Sequence, residues 1–499
     1  MRRHVRRIAL PLAAALVTTT GAAAPSWAQT QPRRSPTVRH ETREPMTATD
    51  RAFLDTVARA TFDWFVDVTP AEGGLTPDRW PTRTFSSIAA TGFYLTALPI
   101  GVERGWIARD AARARALASL RRHWTLPQGA GATGVSGHRG FLYHFLDLET
   151  GLRWRDVELS TIDTALLVAG ALTCREYFDG THADERAIRA LADSLYHRID
   201  WRWATAGGAL VRMGWHPEPG RRGNDAAGFK TTTWHGYMEA MLLYVLALGS
   251  PTHPLEAGSW REWTRTYRWG TFEGERFVQF APLFGHQYSH VWLDFRGIHD
   301  DYMRRRGIDY FENSRRATIA QRRHAIRNRD GWRDRDGDTW GLTASDGPVN
   351  ATLDVDGRRR TFFTYRARGA AATEIVDDGT IAPTAAGGSI PFTPAHSARA
   401  LRTMHARYGA PLFDVRHGFV DAFNPTLRDS TVRVTDGRIV HGVGWFDTDR
   451  LGIDQGPILA MIENERTGLV WSLLKKNADV VRGLCRAGFR GAWLAGRCG

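Results

Sequence analysis

The chain has 499 residues, 42% of them hydrophobic and 24% charged, with a formal net charge of +13. These proportions exclude a largely disordered chain and a polytopic membrane protein, and a chain this long can bury a core without a disulfide framework. Lysine occurs only at 230, 475 and 476, so the positive charge is almost all arginine, scattered among acids rather than gathered in a stripe. That scatter excludes a dedicated nucleic-acid surface, while an anionic polysaccharide stays compatible with it.

In chain order, Arg2, Arg3, Arg6 and Arg7 form a basic start, Ile8 to Val17 is an apolar run too short to span a bilayer, and Ser26-Trp27-Ala28 offers a small-residue cleavage site. The expectation is a signal peptide over 1–28 and a mature protein that is periplasmic or secreted. No later run is long and apolar enough for a membrane span. Residues 29–46 are polar and rich in Arg, Thr and Pro, the composition of a disordered leader. Residues 47–499 read as a single domain.

Thr49 or Asp50 can cap a helix running through Phe53, Val57, Ala60 and Phe65. Helical patterns follow at Ser86–Leu98, Ala108–His123, Glu158–Phe178, Ala183–Ile199, Thr233–Leu248, Pro254–Tyr267, a long one at Tyr302–Asn328, then Ala395–Arg407, Gln455–Glu465 and Val470–Val480. Strand signals are few and short: Gly208–Met213, Thr361–Tyr365 and Ser430–Val434. Leu126–His138 is Gly-rich and reads as a loop. The expected fold is all-α, an α/α barrel whose long, aromatic-rich loops build a cleft at one end.

Nineteen tryptophans is a high count, and many fall in expected loops: Trp80, Trp154, Trp201, Trp203, Trp215, Trp332, Trp340 and Trp445. Sugar rings lay apolar C–H faces on aromatic rings and need polar partners for their hydroxyls, so loops rich in both suit a glycan. Any single tryptophan is more readily core packing; it is their number in loops together that favours a glycan cleft. Of three cysteines, Cys485 and Cys498 are close enough in sequence to pair in an oxidising compartment, and Cys174 sits in an apolar helical stretch. No metal-ligand spacing or cofactor motif is present, and oligomeric state leaves no signature.

Three constellations can carry chemistry. In Arg153–Leu167, Glu158 lies just before a helix start that Ser160 or Thr161 can cap, with Asp163 in the first turn; capping alone explains Asp163, but not Glu158. In Thr233-Trp-His-Gly-Tyr-Met-Glu239, a helix would put His235 and Glu239 on one face. In Pro282–Arg296, His286, Tyr288, His290, Trp292, Asp294 and Arg296 are dense in hydrogen-bonding groups and aromatics, which suits hydroxyl recognition better than metal. Asn313, Trp340 and Asp346 add polar and aromatic groups further along, and the small-residue loop 379–392 lacks any phosphate-binding context.

These segments resemble the glucoamylase-like domain family, which includes bacterial endo-β-1,2-glucanases and the cyclising domain of cyclic β-1,2-glucan synthases. The resemblance is carried by Tyr143-His-Phe-Leu-Asp147 with Glu158-Leu-Ser-Thr-Ile-Asp163, Gly285-His-Gln-Tyr-Ser-His290, Asp309-Tyr-Phe-Glu-Asn-Ser-Arg-Arg316, Trp340-Gly-Leu-Thr-Ala-Ser-Asp-Gly-Pro348, and Ile453-Asp-Gln-Gly-Pro457 with Ile462-Glu-Asn464. It implies an (α/α)6 barrel and hydrolysis of β-1,2-glucan by acidic residues. Glu158 is then expected as proton donor, Glu239 as its partner and Asp163 as a supporting carboxylate, with the later residues binding substrate. A transglycosylase or lyase on the same barrel, and a glycan-binding protein without catalysis, remain open alternatives.

Overall fold

The structure, a computed structural model, describes residues 43–218 and 220–498. The expected signal peptide and most of the expected leader lie outside these residues. Residues 43–46, expected in the leader, belong to the folded body: Arg43 Nε donates to Pro391 O at 3.2 Å, and its guanidinium pairs with Glu465.

The fold is mostly helical, 43% of it helix. Helices that are apolar on every side alternate along the chain with helices that keep one polar face. Ile88–Glu103, Thr161–Tyr177, Met241–Gly249 and Gly452–Arg466 are buried over nearly their whole surface. Arg109–Thr125, Ala183–His197, Tyr310–Arg327 and Pro394–Tyr408 bury one stripe and present Arg, Asp and Glu outward. This is the patterning of an inner and an outer layer. Each buried Leu, Ile or Phe in the shared core contributes roughly 1.5–3 kcal/mol.

Among the inner helices, Ile88–Glu103 packs on Thr161–Tyr177 and on Gly452–Arg466, and Thr161–Tyr177 packs on Met241–Gly249. The short helix Tyr288–Trp292 touches Met241–Gly249 and Gly452–Arg466, and Gln287 just before it donates to Ala385 O at 2.8 Å in the helix Pro383–Gly387. The tightest crossing uses glycine on both sides: a Cβ on Gly92 would sit 2.3 Å from Leu166 O, and one on Gly170 would sit 2.0 Å from Gly92 O. Any side chain there would push the two helices apart.

Four expected helices differ. The first is capped by Thr47 rather than Thr49 or Asp50: Thr47 Oγ1 accepts from Asp50 N at 3.1 Å and the helix runs Ala48–Val68. The one expected from Thr233 begins only at Met241, because Gly236 takes a left-handed conformation (φ 75°) and donates its N–H to Thr266 Oγ1 at 2.6 Å. The long Tyr302–Asn328 helix is two, Asp301–Arg306 and Tyr310–Arg327, broken by Gly307 (φ 70°) as a left-handed C-cap and restarted by Asp309 as N-cap. Val470–Val480 likewise divides at Asn477, which ends Leu469–Lys476 and caps Ala478–Arg486.

Strands are short but more numerous than expected. Gly208–Met213 and Ser430–Val434 are not strands, and the expected Thr361–Tyr365 strand is displaced to Arg358–Phe362. Pairing partners remote in sequence explain the miss. Gly137–His138, Phe141–Tyr143, Leu159–Ser160 and Gly214–Trp215 form a four-stranded antiparallel sheet, with Tyr143 opposite Leu159 and Leu159 opposite Trp215. Cys485 and Cys498 are joined by a disulfide with Cα atoms 5.3 Å apart, and Cys174 is free and buried. No described helix is long and apolar enough to cross a membrane.

Candidate active site

The four-stranded sheet ends where the helix Thr161–Tyr177 begins, and this junction builds one wall of a cavity of about 240 Å³. His144 N donates to Glu158 O at 2.9 Å, which sets the two side chains next to each other. Ser160 caps the helix: its Oγ accepts from Asp163 N at 3.2 Å, while the Asp163 carboxylate turns back to the Ser160 hydroxyl. Asp163 thus has the capping job expected of it and still faces the cavity.

Two cations stand beside these acids. Lys230 Nζ donates to Glu158 Oε1 at 3.1 Å, and His144 lies between Glu158 (3.6 Å) and Asp163 (3.5 Å). Burial opposes charge on His144, but the Asp163 and Glu158 carboxylates outweigh it and push the imidazole up to about 9. Burial also opposes charge on Glu158; His144 and then Lys230 overcome it and hold this carboxyl well below the usual carboxylate range. A carboxyl held ionised in this way has no proton to donate at neutral pH.

Glu239 faces the same cavity from the turn before Met241–Gly249, 9% exposed. Its backbone is fixed by Ser289, whose hydroxyl donates to Glu239 O at 2.5 Å and accepts from Leu242 N at 2.9 Å. Among the described residues no cation contributes to its electrostatics, and Oε2 is buried without a hydrogen-bond partner. Burial pushes its pKa up to about 7, and although its own backbone N–H lowers it, the Asp163 charge adds to the rise. This is a carboxyl that still holds a proton near neutrality.

Tyr288, Tyr365, Ile453 and Ala344 continue the cavity toward a second group of acids. Asp78, Asp346, Asp421, Asp447, Asp449 and Asp454 are all at least nine-tenths buried. Arg79 serves several of them, with Nη1 2.7 Å from Asp346 Oδ2 and Nε 3.1 Å from Asp78 Oδ2. Arg450 acts on Asp447 and Asp449 from the other side, so two arginines face six carboxyls. Asp421 and Asp454 face each other, and burial raises both, Asp454 to about 7. Tyr365 is 57% exposed as a residue, but its hydroxyl end is sunk toward Asp454, Asp421, Asp78 and Asp346, and burial together with those charges pushes its ionisation far up. Tyr288 is within electrostatic reach of both Asp454 and Glu239 and links the two sides.

One oxygen from each of Asp346, Asp421 and Asp447 lies within 4.8 Å of the others, a cation-like spacing that exists only in the fold. These residues are remote from one another in the chain, so no metal-ligand spacing shows in the sequence. Among the expected acids only Asp346 belongs to this second group. Asp454 and Asp421 were missed, though Asp454 stands inside a motif quoted for the family resemblance.

Several expected substrate-binding residues are elsewhere. His235 is exposed, with Nδ1 2.9 Å from Thr233 O, and shares no helical face with Glu239. His286 and His290 are fully buried, bonded to Phe280 O (3.1 Å) and Ser314 Oγ (3.1 Å), and burial pulls them down to about 4 and about 3. Trp292 stacks on Phe93 and donates to Thr96 Oγ1 at 3.0 Å. Asn313 accepts from Val278 N at 2.7 Å, and Trp340 is buried in the core. Asp294 pairs with Arg296 and Lys475, and Arg296 lies over Trp471. These groups join helices to one another; of the Pro282–Arg296 segment, Phe284 and Tyr288 line the cavity. Of the eight loop tryptophans, Trp201, Trp215, Trp332, Trp340 and Trp445 are also buried, leaving Trp80, Trp154 and Trp203 partly exposed.

Comparison with known proteins gives consistent matches. The glycoamylase family model matches residues 231–478. A solved Bacteroides fragilis protein classed as a glucoamylase is 30% identical, with a TM-score of 0.73 over 90% of this chain and all of that one. The endo-β-1,2-glucanase of Chitinophaga pinensis is 25% identical, with a TM-score of 0.73 over 90% of this chain and all of that one. An exo β-1,2-glucooligosaccharide sophorohydrolase of Parabacteroides distasonis is 29% identical over 467 residues, 87% of this chain. The chain spans 58% of the length of that relative.

Proposed function

Since the chain belongs to the glycoamylase (glucoamylase-like) family, we propose that it is an exported glycoside hydrolase that cleaves β-1,2-linked glucan, with Glu239 as the proton donor. The observation that carries this reading is the buried Glu239 carboxyl, lining the cavity with an unpartnered oxygen and a pKa near 7. Glycoside cleavage needs such a protonated acid at the leaving oxygen and a second carboxyl to activate water or attack the anomeric carbon.

The donor role therefore moves from Glu158 to Glu239. Glu158, Asp163, His144 and Lys230 form a charged wall that holds sugar hydroxyls. The second carboxyl is drawn from the Asp421–Asp454 pair across Tyr288: a group with a pKa near 7 accepts a proton far better than one held as low as Glu158. Tyr365, with its ring in the opening and its hydroxyl over the pair, offers a sugar an aromatic face. The names of the Chitinophaga and Parabacteroides relatives favour β-1,2-glucan as substrate. The inner helices, with Pro383–Gly387 and Tyr288–Trp292, are read as six closing one (α/α)6 toroid around the cavity, and the basic, apolar N-terminus is read as an export signal.

The test is to incubate purified protein with linkage-defined glucans and to follow reducing ends and product anomers by NMR. Reducing ends from β-1,2-glucan that disappear with Glu239→Gln support the reading. Binding without product would leave a glycan-binding protein, and an unsaturated product absorbing in the ultraviolet would make it a lyase.

A further inference from the structure

Behind the strap that carries Tyr365 lies a groove of about 550 Å³ with a different chemistry. Its walls are the hairpin of Ala351–Val355 and Arg358–Phe362, the turn at 329–332 and the strap residues Phe363 and Arg366. Arg329, Arg358, Arg359, Arg360 and Arg366 line it together. Against them stand two acids, and one of these, Asp377, is committed to Arg335 (2.9 Å) and His324 (3.1 Å).

The arginines are positioned without being neutralised. Arg358 and Arg360 donate to the backbone carbonyls of Asp330 and Gly331 at 2.8–3.2 Å, which orients each guanidinium; the acids that act on Arg360 are Asp356, itself paired with Arg428, and Asp330. Arg360 lies 4.2 Å over the Trp332 ring and Arg366 5.1 Å from the Phe363 ring. Arg360 is 7% exposed, and its Nε has no hydrogen-bond partner. Among the described residues none of the five forms an ion pair within 4 Å. Concentrating like charge in one concave place costs free energy unless an anion occupies it. The strap also ties this groove to the cavity: Tyr365 lines one, Phe363 and Arg366 the other, and the buried Arg368–Asp378 pair (2.7 Å) anchors the strap.

We propose that this groove binds acidic groups carried on a glycan, so that the protein takes an acid-substituted glucan in preference to a neutral one. This rests on the reading that the neighbouring cavity takes glucan. Planar guanidiniums recognise carboxylate or phosphate oxygens two at a time, and aromatic rings interleaved with them suit the sugar that bears those groups.

The probes are β-1,2-glucan and the same polymer chemically succinylated, offered to the full chain, with binding read by calorimetry and cleavage by reducing ends. The expected result is that the succinylated polymer binds about tenfold more tightly at low salt, that the preference collapses near about 0.5 M NaCl, and that Arg329→Glu/Arg359→Glu abolishes it while neutral glucan is handled as before. Arg359→Gln, which keeps a long polar side chain on the exposed hairpin, should lose part of the preference and guards against a folding defect in the double variant. Equal affinity for both polymers, a preference that survives the double variant, or free succinate binding as tightly as the succinylated polymer would each overturn the proposal. Failure to cleave either polymer would count against the hydrolase reading alone, since the charge preference is read by binding.

Discussion

Glu158 and Glu239 line one cavity and are the same kind of acid, yet their surroundings drive them in opposite directions. Glu158 has His144 and Lys230 beside it and is held ionised; among the described residues no cation acts on Glu239, and burial keeps it protonated to about pH 7. The lesson is that burial alone does not decide the charge of a carboxyl. A counter-ion within 3–4 Å does, because at that range and reduced dielectric its attraction exceeds the desolvation cost.

The sharpest way to break this comparison is Glu239→Gln. If Glu239 is the proton donor proposed above, its removal should lower kcat/KM on β-1,2-glucan by about 10³-fold, mostly in kcat, within the span general acids contribute. A loss of similar size from Glu158→Gln, confined to kcat, would reverse the assignment. Next in size, Asp454→Asn should cost about 10²-fold and remove the acidic limb of the pH profile. The basic limb should remain, because on the proposed mechanism Glu239 must stay protonated and so activity should fall as pH rises through about 7.

Stability gives the same contrast a second readout. The folded-state pKa of Glu239 is raised from 4.5 to about 7, so its contribution is fully present below about pH 4.5 and is lost as pH rises through about 7. Glu239→Gln should therefore match wild type in acid and exceed it by about 3 kcal/mol at pH 8, measured by chemical denaturation. Glu158, whose pKa is depressed, behaves oppositely: its contribution is present at neutral pH and fades in acid. Lys230→Met should cost about tenfold in kcat/KM, chiefly through KM, by removing one of the two cations that hold Glu158 charged. The smallest effect on catalysis is expected from His290→Ala. It should leave KM within about twofold while lowering stability by about 1–3 kcal/mol, since it deletes a buried hydrogen bond to Ser314.

That last contrast explains how the Pro282–Arg296 segment misled. A run dense in His, Tyr, Trp and Asp has the composition of a sugar site, and composition cannot say which side of a helix faces a cavity. Tyr288 faces it; His290 and Trp292, two and four residues on, turn into the core against Ser314, Phe93 and Thr96. The reverse holds for Asp421 and Asp454, which drew no attention singly and which the fold buries beside each other.

The local order of the chain was legible in its residues. The helix start at Ser160 or Thr161, most helix ranges, and the acids Glu158 and Asp163 at a helix entrance follow from short-range rules of capping and periodicity. Tertiary structure decided what depends on neighbours far away in sequence. Gly236 and Gly307 broke helices whose apolar pattern ran on, residues 144 and 230 met at Glu158, and residues 346, 421, 447 and 454 met around Arg79. Ionisation belongs to that second class, because a pKa reports the distance to other charges and to water, and only the folded chain fixes those distances.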